Sequence, residues 1–155
     1  MAVYENLEDI ISDAQRKITN ILKQDVAPLA EEIVKSHIQS DIYYVYSPKP
    51  GAWIGGTTYQ RRHILEDSVS SFLTNGDTLC VTSTATASPS IVKGHSFKNK
   101  YSGAFLEMLE SGNTGIWRRG FPRPAIAHAQ LEIDDSLRGG AIARAIEAGI
   151  KREFD

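Results

Sequence analysis

The sequence predicts an α+β protein: a long kinked N-terminal amphipathic helix, a small antiparallel sheet with a hairpin, and C-terminal helices. Three observations predict it. Apolar residues recur every three or four positions from Leu7 to Ile38, Asn75-Gly76 separates two strand-like runs, and two helical runs split by Gly139-Gly140 close the chain. A chain of 155 residues is expected to form a single domain, 1–155. Within it, 1–40 is the long helix, 41–122 the sheet region with loops and a short helix, and 123–155 the C-terminal helices.

The first helix rests on Leu7, Ile10, Ile11, Ala14, Ile18, Ile21, Leu22, Val26, Leu29, Ile33, Val34 and Ile38, one stripe at helical spacing. Asn6 is the expected N-cap, with Asp9 in the first turn. Pro28 cannot donate to the preceding turn, so the rod must bend or restart between Asp25 and Pro28. Fully helical, it would be roughly 50 Å long. Either it packs on its own sheet, or part of it projects and packs against another copy or a partner.

Asp41–Pro50 carries Tyr43, Tyr44 and Tyr46 before a Pro-Lys-Pro turn, and reads as the edge of a core. Gly51–Gly56 is glycine-rich but lacks the lysine-hydroxyl pair and following helix of a phosphate loop. Tyr59-Gln60-Arg61-Arg62 then leads into Leu65-Glu66-Asp67-Ser68 and the hairpin, with strands expected at Ser68–Thr74 and Asp77–Ala85. Alternation of Leu79 and Val81 with Thr78, Cys80 and Thr82 predicts one buried face on the second strand. Residues 86–100 form a polar loop containing Lys93, Lys98 and Lys100. Tyr101–Ser111 reads as a short helix ended by Gly112, and Gly115–Phe121 as a strand or extended loop. Arg123-Pro124 opens a helix with a face at Ile126, Gln130, Ile133 and Leu137, and Ile142, Ile146 and Ile150 mark the last.

Charge is unevenly spread. The net charge is −3 over residues 1–40, +3 over 41–130 and −2 over 131–155, which favours head-to-tail contact between copies through weak, salt-screened pairs. A single cysteine, Cys80, excludes an internal disulfide framework and a multi-cysteine metal cluster. Neither a transmembrane helix nor a signal peptide is expected.

No catalytic constellation is legible. The four histidines, at 37, 63, 95 and 128, do not form a His-x3-His helical metal pair, so neither metal nor cofactor is expected. His37, on the apolar stripe, reads as a core or interface histidine. The adjacent carboxylates at Glu31-Glu32, Glu66-Asp67 and Asp134-Asp135 diverge on either a strand or a helix. Arginines are the more informative residues. Arg61 and Arg62 on an extended segment point opposite ways, one toward a carboxylate such as Glu66 or Glu107, and Arg118 and Arg119 repeat this beside Trp117. Planar guanidinium groups suit both protein interfaces and phosphate contacts.

Tyr59-Gln-Arg-Arg62, Leu65-Glu-Asp67-Ser68, Glu110-Ser-Gly112 and Arg123-Pro124-Ala-Ile, in that order after a long amphipathic helix, resemble the small neck proteins of long-tailed bacteriophages and prophages. These are the tail-completion or head-tail joining proteins. The resemblance implies a non-enzymatic virion protein, assembled in the bacterial host cytoplasm into a sixfold or twelvefold ring. Its partners would be copies of itself, tail terminator or tail-tube proteins, and head connector or stopper proteins, with no membrane. Tyr59, Arg61, Arg62, Arg123 and Pro124 match the family pattern and, with Arg118 and Arg119, are expected at interfaces. Lys93, Lys98 and Lys100 would face packaged DNA if their loop lined the channel. A tail terminator of the same neck and a small nucleic-acid-binding module using the two arginine pairs are the alternatives.

Overall fold

The computed structural model describes residues 6–44, 53–54, 57–58, 63–85, 106 and 124–155. Helix α1 (Leu7–Ile21) starts where expected: the Asn6 side chain accepts a hydrogen bond from the Asp9 backbone N–H at 3.0 Å, and Glu8 and Asp9 sit in the first turn. A π-helical turn, Leu22–Val26, joins it to α2 (Ala27–His37). The proline explains its position. Pro28 offers no N–H and its ring crowds the carbonyl four residues back, and a turn closed by the Ala27 N–H on the Leu22 carbonyl widens the helix there.

A second π-helical turn, Ile38–Tyr43, follows α2, so the helical backbone runs past the expected end near residue 40. Within it Tyr43 is buried while Tyr44, just after it, is exposed. Ala30, Val34, Ile38 and Ile42 are all buried at a strict spacing of four. Such a repeat drifts around a helix of 3.6 residues per turn, and a widened turn brings it back.

Strands β1 (Trp53–Ile54) and β2 (Thr57–Thr58) pair antiparallel, Trp53 opposite Thr58 and Ile54 opposite Thr57. A single turn of helix, α3 (Ile64–Asp67), precedes the hairpin strands β3 (Val69–Thr74) and β4 (Thr78–Ser83). Both turn residues take positive φ, 55° at Asn75 and 81° at Gly76, the conformation that selects Asn-Gly. The expected single buried face of β4 is not found. Leu79, Cys80, Val81 and Thr82 are all half-buried, and Ser83 at the strand end is the buried one. Helices α4 (Ala125–Leu137) and α5 (Ala141–Phe154) close the chain, separated at Gly139-Gly140. In α4 the buried positions are Ala125 and Ala129, whereas Gln130 and Leu137, expected on the buried face, are exposed. The expected helix at Tyr101–Ser111 is represented among the described residues by Leu106, which is helical and buried. The expected extended segment at Gly115–Phe121 lies outside them.

The chain forms two compact units. The first comprises residues 1–33, 71–81 and 131–155, with a core of Ile21, Val26 and Ile142 on which Leu22, Leu29, Ile33, Leu79, Ile133 and Ile146 pack. Here α5 comes very close to the first π turn. A Cβ at Gly149 would lie 2.9 Å from Ile21 Cγ2 and 2.9 Å from Asp25 Oδ2. Arg152, one turn on, donates two hydrogen bonds to the Asp25 carboxylate at 2.9 and 2.8 Å. Thr19 donates to the Gly76 carbonyl at 2.8 Å, tying the hairpin turn to α1.

The second unit comprises residues 34–70 and 82–130. Its described residues hold a polar knot. Ser83, 2% exposed, donates to the Leu65 carbonyl at 3.0 Å, lies 2.8 Å from Ser68 Oγ and accepts from the Ala85 N–H at 3.3 Å. A buried hydroxyl with its hydrogen-bonding capacity used in this way carries no desolvation penalty left over. Glu66 is held from three sides: its Oε1 accepts from Gln39 at 2.6 Å, its Oε2 lies 3.3 Å from His63 Nδ1, and its N–H donates to the Tyr43 hydroxyl at 3.3 Å.

Candidate functional site

Two features of the described residues are not explained by folding alone: an apolar face that the fold leaves uncovered and a compact group of imidazoles and carboxylate.

The apolar stripe of α1 is buried only at its C-terminal end. Ile21 is 4% exposed, but Ile18 is 43%, Ile11 48%, Ile10 45% and Leu7 69% exposed. These four share one face of the helix, and nothing among the described residues covers them. Other exposed large apolar residues in the same unit are Phe72, Leu131, Leu137, Ile150 and Phe154. Lys17 lies over the Phe154 ring, 4.9 Å from its centroid, and pairs with Asp13 at 2.9 Å, so cationic stems skirt this surface without closing it.

The second feature lies at the second π turn. Asp41 Oδ2 is 3.1 Å from His37 Nδ1, four residues earlier on the same helix, and 3.0 Å from Nδ1 of His128 in the first turns of α4. Ser40 Oγ donates to the other carboxylate oxygen, Oδ1, at 3.2 Å. The imidazole rings of His37 and His128 meet edge-on, their centroids 5.9 Å apart. Partial burial pushes the Asp41 carboxyl up, but the hydrogen bonds from His128 and His37 outweigh it, and with the His128 charge and Ser40 they hold it below the usual carboxylate range. One ligand atom from each of the three side chains lies within 4.8 Å of the others, so His37, Asp41 and His128 have the donor set and spacing to hold a metal ion.

Of the residues singled out in the sequence, Pro124 is described: it is half-buried and its carbonyl accepts the His128 N–H at 2.9 Å as α4 begins. Tyr59, Arg61, Arg62, Arg118, Arg119, Arg123, Lys93, Lys98 and Lys100 lie outside the described residues. His37, read as a satisfied core or interface histidine, is half-buried, its Nδ1 3.1 Å from the Asp41 carboxylate. The trio is not legible as a metal motif because no two of the histidines stand at helical spacing in the sequence. The legible part was His37-x3-Asp41, an imidazole and a carboxylate one turn apart. That His128 completes it is a tertiary fact.

No helix among the described residues is long and apolar enough to cross a membrane. A family model described as YomN matches residues 6–152, and the chain belongs to that family. No curated protein and no solved structure matches it significantly.

Proposed function

We propose that this member of the YomN family is a non-enzymatic structural protein of the neck of a long-tailed bacteriophage or prophage, assembling as a ring that joins or completes the tail at the head. The uncovered apolar face of α1 carries the reading. Four large aliphatic side chains between 43% and 69% exposed along one helix face are unfavourable in water and become favourable when another surface covers them. An acidic N-terminal helix and a basic middle region suit head-to-tail packing of neighbouring copies, in which the face of one protomer meets a different face of the next and the rotation closes a ring. The order of the tyrosine-arginine and arginine-proline motifs, similar to that of tail-completion proteins, supports the neck as the place.

Mass measured over rising protein concentration, alone and with the tail terminator and connector proteins of the same phage, tests this. Higher oligomers or a complex are expected for the unaltered chain, and Ile11→Glu should return it to monomer, because a carboxylate on that face has to be desolvated on assembly. A chain that stays monomeric at all concentrations and binds none of these neck proteins overturns the reading.

A further inference from the structure

We propose that His37, Asp41 and His128 form a binding site for one divalent transition-metal ion, of which zinc fits best. Two imidazole nitrogens and a carboxylate oxygen are the donor set of a borderline ion, whereas calcium and magnesium take oxygen donors. The two measured edges of the triangle, 3.1 and 3.0 Å from Asp41 Oδ2 to His37 and His128 Nδ1, are close to the roughly 3.3 Å between ligands of a tetrahedral zinc with bonds near 2.05 Å. The remaining edge closes by rotation of the His128 ring, whose side chain is 48% exposed and has room to turn. His37 and Asp41, with side chains 20% and 19% exposed, are held more firmly by the helix that carries both.

The surroundings suit an ion as well. Ser40 occupies Asp41 Oδ1 and so leaves Oδ2 directed at the histidines, the kind of outer hydrogen bond that fixes a ligating carboxylate. Both ligands from the first helical segment sit at or beside a π turn, where the backbone is widened. The exposed side of His128 opens onto solvent, so water completes the coordination. Metal binding at Nδ1 shifts the imidazole proton to Nε2, and the hydrogen bonds to Asp41 seen here are replaced by bonds to the ion. The ion would link the second π turn to the start of α4 inside one unit. This site stands independently of the assembly proposed above.

The test is calorimetric titration of the full chain, stripped by a chelator, with zinc chloride, followed by cobalt(II) as a spectroscopic substitute. One equivalent per chain is expected, with a visible cobalt absorption of nitrogen and oxygen coordination. Asp41→Asn and His128→Ala should abolish both signals. Ser40→Ala should weaken binding by about 10–100-fold, and His63→Ala should change nothing. His128→Ala lies at a half-exposed helical position and keeps the fold, which circular dichroism checks; loss of cobalt absorption in a folded variant therefore reports the ligand. Absence of saturable binding, or one equivalent retained by both His37→Ala and His128→Ala, overturns the proposal.

Discussion

At the scale of single residues, the sharpest constraint is Gly149. A methyl group there would meet Ile21 and Asp25 at 2.9 Å, so Gly149→Ala is expected to destabilise the chain by about 1–3 kcal/mol, read as a lower denaturant midpoint. Gly139→Ala is the control: nothing lies within 4 Å of the added carbon, and the loss of chain freedom in the unfolded state should leave stability unchanged or raise it by about 0.4–1 kcal/mol. The Asp25–Arg152 pair makes a pH prediction. The hydrogen bonds from Arg152 hold the Asp25 carboxyl below its ordinary range against the opposing effect of burial. A carboxyl with a lowered folded pKa contributes its stability fully above the unfolded value, near 3.9, and loses it as pH falls through the folded value. The stability difference between the unaltered chain and Asp25→Asn should therefore be widest at neutral pH and narrow with acid. A difference that grows below pH 4 would contradict it.

Elements are held by substitutions for missing caps. Gly140 precedes α5 with extended backbone and has no side chain to cap it, so Ser136 of α4 supplies the hydroxyl that accepts the Ile142 N–H at 3.0 Å. Ser136→Ala should cost about 1 kcal/mol in thermal or chemical unfolding, comparable to loss of an N-cap. Thr19→Val removes the bond to the Gly76 carbonyl and should cost about 0.5–1.5 kcal/mol, while the hairpin turn keeps its Asn-Gly conformation. The two π turns share a design: each carries an aspartate, Asp25 or Asp41, held by a basic side chain from the C-terminal helices, Arg152 or His128. Where Pro28 stands, the first such turn was legible as a break. The second has no proline and follows from the buried spacing of four, a pattern that the apolar stripe alone does not distinguish from a straight helix.

For the whole molecule, the assembly proposed through the exposed face of α1 predicts a stability that depends on concentration. If assembly covers Leu7, Ile10, Ile11 and Ile18, the melting temperature should rise with protein concentration, and the rise should disappear in Ile11→Glu. A melting temperature independent of concentration for the unaltered chain would separate this face from assembly. The apolar stripe was readable as a periodicity. Which part of it stays uncovered was not, because periodicity reports which side of a helix is apolar and is silent about what lies against it.

Local chemistry in the sequence by itself determined the helix start at Asn6, the disturbance at Pro28, the Asn75-Gly76 hairpin and the break at Gly139-Gly140, since each depends on backbone geometry within a few residues. Only the tertiary structure decided that Ala125 and Ala129 are the buried side of α4, that Gly149 lies against Ile21, and that His128 meets Asp41. Those outcomes join residues as far as 87 and 128 positions apart in the chain, and pairings at that separation are set by how helices pack rather than by any local preference.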